Sequence, residues 1–184
     1  KKSTSGGAFY AIAEKFLEDG GYVYGATMDK FRVFHTRVDN IKELSKLQGS
    51  KYIQSDLKDS YKRVKIDLES GKKVLFSGTS CQIEGLYRYL GEKNEQLLTC
   101  DLLCKGVPPQ RLFDKYIQFL QKRYNGKIES FNFRDKALGY FWLSTIELDS
   151  KKVMLHGLED TFVKTVGAGY VREACFSCKF TSED

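Results

Sequence analysis

The feature that most constrains this chain lies between residues 73 and 124. Residues 73–77 are a short apolar run that reads as a strand, and residues 81–90 set Ile83, Leu86, Tyr87 and Leu90 at helical core spacing. Residues 96–103 read as another strand. Residues 109–124 read as a long helix that begins with proline, which a first turn tolerates because its N–H has no partner there. Strand, helix, strand, helix in that order is a crossover unit, and crossovers set their two strands parallel and adjacent in one sheet. Both strand-to-helix loops then share the carboxyl edge, where open α/β sheets bind ligands. One loop is Ser77-Gly78-Thr79-Ser80-Cys81-Gln82 and the other Cys104-Lys105-Gly106-Val107-Pro108. The order of elements alone therefore predicts that Cys81 and Cys104 meet.

The remaining segments fit around that unit. Residues 8–19 carry Phe9, Ile12, Ala13, Phe16 and Leu17 on one face of an amphipathic helix, with Ser5 as the expected N-cap and Gly20-Gly21 as the stop. Residues 22–28 and 31–38 read as strands joined by a turn at Asp29-Lys30. Residues 55–69 read as a helix with Leu57, Tyr61, Val64 and Leu68 inward and Gly71 as its stop. Residues 128–134, 142–148 and 152–156 look like strands, 159–166 like a short helix, and the tail like a loop. The expected fold is α/β: a mixed, partly parallel sheet flanked by helices, with an antiparallel portion from 128–156. We expect residues 1–184 to form one domain, a fragment of a longer protein.

Composition narrows the function. No apolar run approaches the ~20 residues of a membrane span, and Lys1 to Gly7 carries no secretory apolar region. A net charge of +6 suits an anionic partner such as FAD, but charge alone does not separate that from nucleic acid or a solvated basic surface. No Ser-His-Asp or Cys-His pattern favours nucleophilic hydrolysis, and the glycines give no Rossmann or P-loop spacing. His35 and His156 read as structural.

Five cysteines without regular disulfide spacing suit a reducing cytoplasm. Cys175 and Cys178 form a Cys-x-x-Cys pair, which with Cys81 and Cys104 makes four candidate thiolates. Such a set binds zinc or holds a 4Fe-4S cluster, and spacing does not choose between them. Cys100, inside an apolar strand, reads equally well as a buried packing residue. Small residues Ser3, Ser5, Gly6 and Gly7 precede a helix whose first N–H groups need partners, which makes them a candidate pyrophosphate cradle or an ordinary serine cap.

These segments carry a resemblance. Phe76-Ser77-Gly78-Thr79-Ser80-Cys81-Gln82 is similar to a Gly-Thr-Pro-Cys-Gln loop, and Asp101-Leu102-Leu103-Cys104-Lys105-Gly106-Val107-Pro108 to an Asp-Leu-x-Cys-His-Gly-Val-Pro segment. Ser5-Gly6-Gly7, Gly49-Ser50-Lys51-Tyr52-Ile53-Gln54-Ser55, Phe133-Arg134-Asp135-Lys136 with Gly139, and Cys175-x-x-Cys178-Lys179-Phe180 match further segments in order. The chain resembles the coenzyme F-420 hydrogenase/dehydrogenase beta-subunit family, C-terminal type. Ser80 and Lys105 depart from its usual Pro and His. The resemblance implies an oxidoreductase module that binds FAD and a 4Fe-4S cluster, with coenzyme F-420 as a possible substrate and a ferredoxin-like domain or other redox subunit as partner. It implies metal ligands Cys81, Cys104, Cys175 and Cys178. Its cofactor contacts would be Ser3, Ser5, Gly6, Gly7, Ser50, Lys51, Tyr52, Gln54, Gly78, Thr79, Gln82, Arg134 and Lys136. It argues against nucleic acid as a partner. Two alternatives stay open: a zinc-stabilised interaction domain, and a redox relative serving surface polysaccharide assembly.

Overall fold

A computed structural model describes residues 7–135, 143–155, 162 and 168–180. Helix α1 (Ala8–Glu18) leads into β1 (Tyr22–Asp29) and β2 (Arg32–Val38). A short α2 (Ile41–Leu44) and a 3-10 turn (Ser45–Leu47) follow, then α3 (Ser60–Glu69), β3 (Val74–Thr79), α4 (Ser80–Leu90), β4 (Leu97–Leu102) and α5 (Gln110–Tyr124). The chain continues through β5 (Ile128–Asn132), β6 (Ser144–Leu148), β7 (Lys151–Leu155) and α6 (Glu173–Phe176). The first four strands form one sheet in the order β2-β1-β3-β4; β1 pairs antiparallel with β2 and parallel with β3, and β3 pairs parallel with β4. Strands β5, β6 and β7 form a separate antiparallel sheet. This is the mixed α/β architecture expected from the element order.

Alternation along the parallel strands builds the two main core layers. Val23 and Leu75 face α1 and the α2 turn, packing with Ala13, Leu17, Val38, Leu44 and Leu47. Their neighbours Tyr24 and Phe76 point to the other face, against Val64 and Leu68 of α3 and Ile83 and Leu86 of α4. On that face Asp67 is buried, accepting from Tyr24 Oη at 2.5 Å and from Arg37 Nη1 at 3.0 Å. A third core joins α5 to the antiparallel sheet. It is aromatic: Phe113 meets Phe131, Phe133 and Phe162 at ring separations of 5.2, 5.2 and 4.8 Å.

Several local expectations shift for identifiable reasons. The β1–β2 turn falls on Lys30 and Phe31 rather than on Asp29-Lys30. Both turn residues take left-handed φ, 43° and 67°, as a two-residue hairpin matching strand twist requires. Phe31 tolerates this because its ring packs on Phe113 and its carbonyl accepts from Gln110 Nε2 at 2.8 Å. The helix expected from 55 starts at Ser60. Asp56 is drawn into backbone bonds with His35 and Val33, a short parallel bridge onto β2, and Lys58 turns left-handed at φ 48°. The α1 N-cap is Gly7 rather than Ser5, and the tail contains α6 rather than loop alone. The expected helix over 159–166 (except Phe162), His156 and Trp142 lie outside the described residues.

Phe113 is fully buried at the centre of the aromatic core. We expect Phe113→Ala to cost about 3–5 kcal/mol, read as a lower urea midpoint at unchanged slope.

Candidate functional site

The parallel pairing puts the ends of β3 and β4 level: Gly78 lies opposite Asp101, and Thr79 opposite Leu102. Cys81 therefore opens α4 beside the loop that carries Cys104. A capping box fixes the first turn of α4, with Gln82 Oε1 accepting from the Thr79 N–H at 3.1 Å. The Thr79 hydroxyl lies 3.2 Å from the Cys81 sulfur. Ser80, which stands where the resembled loop has Pro, donates from its hydroxyl to the Asp101 carboxylate at 2.8 Å. That bond ties the Cys81 turn to β4, three residues before Cys104, so the serine supplies by hydrogen bonding a restraint that a proline would supply by its ring.

The Cys-x-x-Cys segment reaches the same edge through Gly106. This glycine takes φ +104°, and a Cβ there would lie 2.8 Å from a Val171 methyl. The close approach lets the Arg172 N–H donate to the Val107 carbonyl at 3.0 Å, which docks α6 against the Cys104 loop. Burial raises the Cys104 thiol pKa, opposed by a hydrogen bond from the Gly106 backbone and raised further by Cys175, Cys81 and Cys178 in that order. Cys104 therefore lies within electrostatic reach of the other three thiols. Among the described residues, no three Cys, His, Asp or Glu side chains close on one point as ligands of a single ion. Cys100 stands apart: it pairs with Ser77 within the sheet and packs against the α1 core layer, inside β4 rather than in the loop that carries Cys104.

The rest of the edge is assembled from two more segments. Helix α1 returns to β1 through a three-residue link, so it runs against the strand and its first turn comes to the carboxyl edge. Gly7 caps it in left-handed conformation with no side-chain cap, and no acid occupies its first turn; its first N–H groups are of the kind that bind anions. Ser3, Ser5 and Gly6 lie outside the described residues. Residues 48–55 then cross the edge, from Leu47 packed on Gly25 to Gln54, whose N–H donates to the Pro108 carbonyl at 3.3 Å.

Along this crossing, Lys51 is partly buried and donates to the Leu47 and Gln48 carbonyls at 3.1 and 2.9 Å. Burial lowers its pKa to about 8. Ser50 is partly buried, the Gln54 side chain is exposed, and the Tyr52 ring turns inward onto Phe133. Gly78 is buried under Phe76 and Gln82, where a Cβ would sit 3.1 Å from each. Gln82 also donates to the Ser55 carbonyl, so its amide shapes the loop. Arg134 stands beyond β5 in the antiparallel sheet, its N–H on Asn132 Oδ1. Lys136 lies outside the described residues, and Lys105 is exposed.

Two residues near the site read from the sequence only as structural. His35 is buried and stacked on Phe76. Its Nε2 lies 2.9 Å from the Ser77 carbonyl, an acceptor, so Nε2 carries the hydrogen and Nδ1 accepts from Ser55 Oγ at 2.7 Å. Burial chiefly, and Lys51 in part, lower its pKa. Tyr61 donates to the Gln82 carbonyl at 2.5 Å, and burial first, then Cys81, push its phenol up to about 12. The α2 turn is absent from the sequence reading, although Asn40 and Glu43 give its signal: the Asn40 side chain accepts from the Glu43 N–H at 3.1 Å.

The fold and edge define an α/β protein with four thiols and an anion-ready helix start around the carboxyl ends of its parallel strands. By sequence the chain belongs to the family described as the C terminus of the coenzyme F420 hydrogenase/dehydrogenase beta subunit, matched over residues 71–184. No curated protein matches the chain. Among solved structures it is similar to a chain of the F420-reducing [NiFe] hydrogenase complex from Methanosarcina barkeri, with TM-score 0.61 and 14% identity. The match covers 96% of this chain and 60% of that one. At this identity the likeness is one of fold.

Gly106→Ala should free the Cys175–Cys178 segment, seen as faster hydrogen exchange over 168–180 with the β1–β4 sheet unchanged. His35 should also make stability fall with acid. Its folded pKa lies below the ordinary 6.5, so the unfolded chain binds the proton first and stability drops as pH falls below about 6.5. His35→Gln should remove that component from urea midpoints measured between about pH 7.5 and about pH 5.5.

Proposed function

We propose that this chain is an electron-transfer module of a cytoplasmic oxidoreductase, in which FAD and a 4Fe-4S cluster sit together on the carboxyl edge. The observation that carries this reading is the meeting of the Cys81 turn, the Cys104 loop and the Cys175–Cys178 segment at one end of the parallel sheet, through the level β3–β4 register and the Arg172–Val107 bond. The donor set fits such a cluster. Each thiolate would raise the cost of charging Cys104, and bound iron offsets that cost. A cubane spreads its thiolates over separate iron atoms, whereas a single zinc draws each sulfur to about 2.3 Å.

The flavin reading rests on the same edge. The uncapped start of α1 suits a pyrophosphate, with Ser3, Ser5, Gly6 and Gly7 as its cradle. Gly78 and Thr79 would bring backbone close to the ring, with Gln82 holding their turn. Ser50, Lys51, Tyr52 and Gln54 would wall the pocket. Arg134 and Lys136 are weaker candidates for an anionic group, since Arg134 belongs to the other sheet. When bound, the flavin converts two-electron hydride chemistry into the single electrons an iron–sulfur centre carries. The chain's own part is to hold both groups close, exclude water from the edge and set its charge. The hydride donor or acceptor would be a deazaflavin such as coenzyme F-420, and the one-electron partner a ferredoxin-like domain or another redox subunit.

The test is anaerobic purification of the natural full-length protein, with flavin, iron, sulfide and zinc analysis and a visible spectrum. We expect FAD and about four iron atoms for this centre. Cys81→Ser, Cys104→Ser, Cys175→Ser and Cys178→Ser should each lose most of that iron, and Cys100→Ser should keep it. Zinc without flavin or iron would replace this reading with a structural interaction domain, and equal loss at all five positions would refute the ligand set.

A further inference from the structure

Lys51 is a partly buried cation that meets no acid among the described residues. Two of its ammonium hydrogens go to the Leu47 and Gln48 carbonyls, which leaves the third unassigned. Desolvation is its dominant electrostatic influence, with no carboxylate acting against it. Arg37 makes the contrast: it too is partly buried, but Asp67 meets it at 3.0 Å. Carbonyl dipoles soften the burial of a charge and do not neutralise it. His35, whose charge Lys51 disfavours, cannot share the burden, because Ser77 and Ser55 occupy both its nitrogens.

We propose that Lys51 faces the ring of the bound flavin and pairs with the single negative charge that ring carries after accepting a hydride. The inference rests on the flavin reading above. Three observations favour the ring over the cofactor's phosphates. Lys51 has one hydrogen to give and sits among carbonyl oxygens, a setting that suits one anionic atom and repels a phosphate's cluster of oxygens. Just after Lys51, the Gln54 N–H bonds the Pro108 carbonyl and the Ser55 carbonyl accepts from Gln82, which ties this segment to the Cys104 and Cys81 loops, where a ring exchanging electrons with a cluster must be. The start of α1 offers a separate anchor made of backbone N–H groups, the usual phosphate partner.

The electron count fits one lysine. A reduced deazaflavin gives up a hydride and is itself oxidised by two electrons. Two electrons and one proton arrive at N5 of the neutral oxidised ring, a new N–H bond forms, and one negative charge remains over N1 and the C2 carbonyl. With Lys51 opposite that locus, no second proton is needed.

Sulfite is a direct probe, because its addition to N5 forms an N–S bond and leaves the same negative charge in the same place. The experiment titrates the natural full-length protein, loaded with FAD, against sulfite by visible absorbance. Wild type should form the adduct, and Lys51→Met should weaken it about tenfold or more, as expected when a buried charge partner is lost. Lys51→Arg should restore most of it. Affinity for oxidised FAD should change far less than sulfite affinity. Unchanged sulfite affinity in Lys51→Met would overturn the assignment. So would weaker binding of FAD but not riboflavin with the adduct intact, which would make Lys51 a phosphate contact. If Lys51→Met does not fold, Lys51→Gln takes its place, and a wild type that forms no adduct overturns the proposal without any variant. Flavin analysis of the wild type comes first: absence of flavin there would remove the functional reading itself, a result distinct from flavin present with sulfite unaffected.

Discussion

Residue by residue from Val74 opposite Leu97 to Thr79 opposite Leu102, β3 and β4 run side by side without a bulge. Parallel strands joined by a helix have little freedom at their far ends, so a level register delivers both following loops to one height. The thiol edge depends on that. A slip of one residue would turn Phe76 out of its core layer and carry Ser80 away from Asp101. The register is held by packing on both faces, since Leu75 and Phe76 are each fully buried in opposite layers.

Above the paired strands, a half-buried polar layer around buried His35 converts sheet geometry into loop geometry. His35 links β2 to the Ser77 carbonyl of β3 and to Ser55; Gln82 links Ser55 to the start of α4; Tyr61 supports that same turn from α3. Each side chain bonds a group from a different segment, so the 48–55 crossing and the start of α4 are tied to the sheet and to α3. Such a network is valuable only when its members are satisfied, and here each ring nitrogen of His35 has a partner.

The parts of the fold legible in the sequence are those with strong local periodicity. The crossover unit can be read because four apolar segments follow one another with short loops, and handedness leaves few ways to arrange them. Element order alone is thus enough to bring Cys81 and Cys104 together. What escapes are positions where long-range contact overrides local preference. Ser55–Asp59 has helical neighbours, yet Asp56 is captured by β2. Phe31 has no intrinsic preference for left-handed φ and adopts it because Phe113 and Gln110 hold it there. His35 reads as an ordinary strand residue until the fold sets it between Ser55 and Ser77. The docking of Cys175 and Cys178 through Gly106 and Val171 leaves no periodic trace, and only resemblance suggests it.

Strand β4 closes one side of the four-stranded sheet, and among the described residues nothing pairs with its outer side. Leu98, Leu102 and Leu103 are exposed along and just beyond it, with Asp101 as the one charge in the strand. Natural edges usually discourage self-pairing with lysine, proline, a bulge or a covering loop, and this one carries none of those within the strand. For anyone handling these residues alone, the consequence is colloidal: β4 offers exposed leucines and open backbone on which one molecule can add to the next.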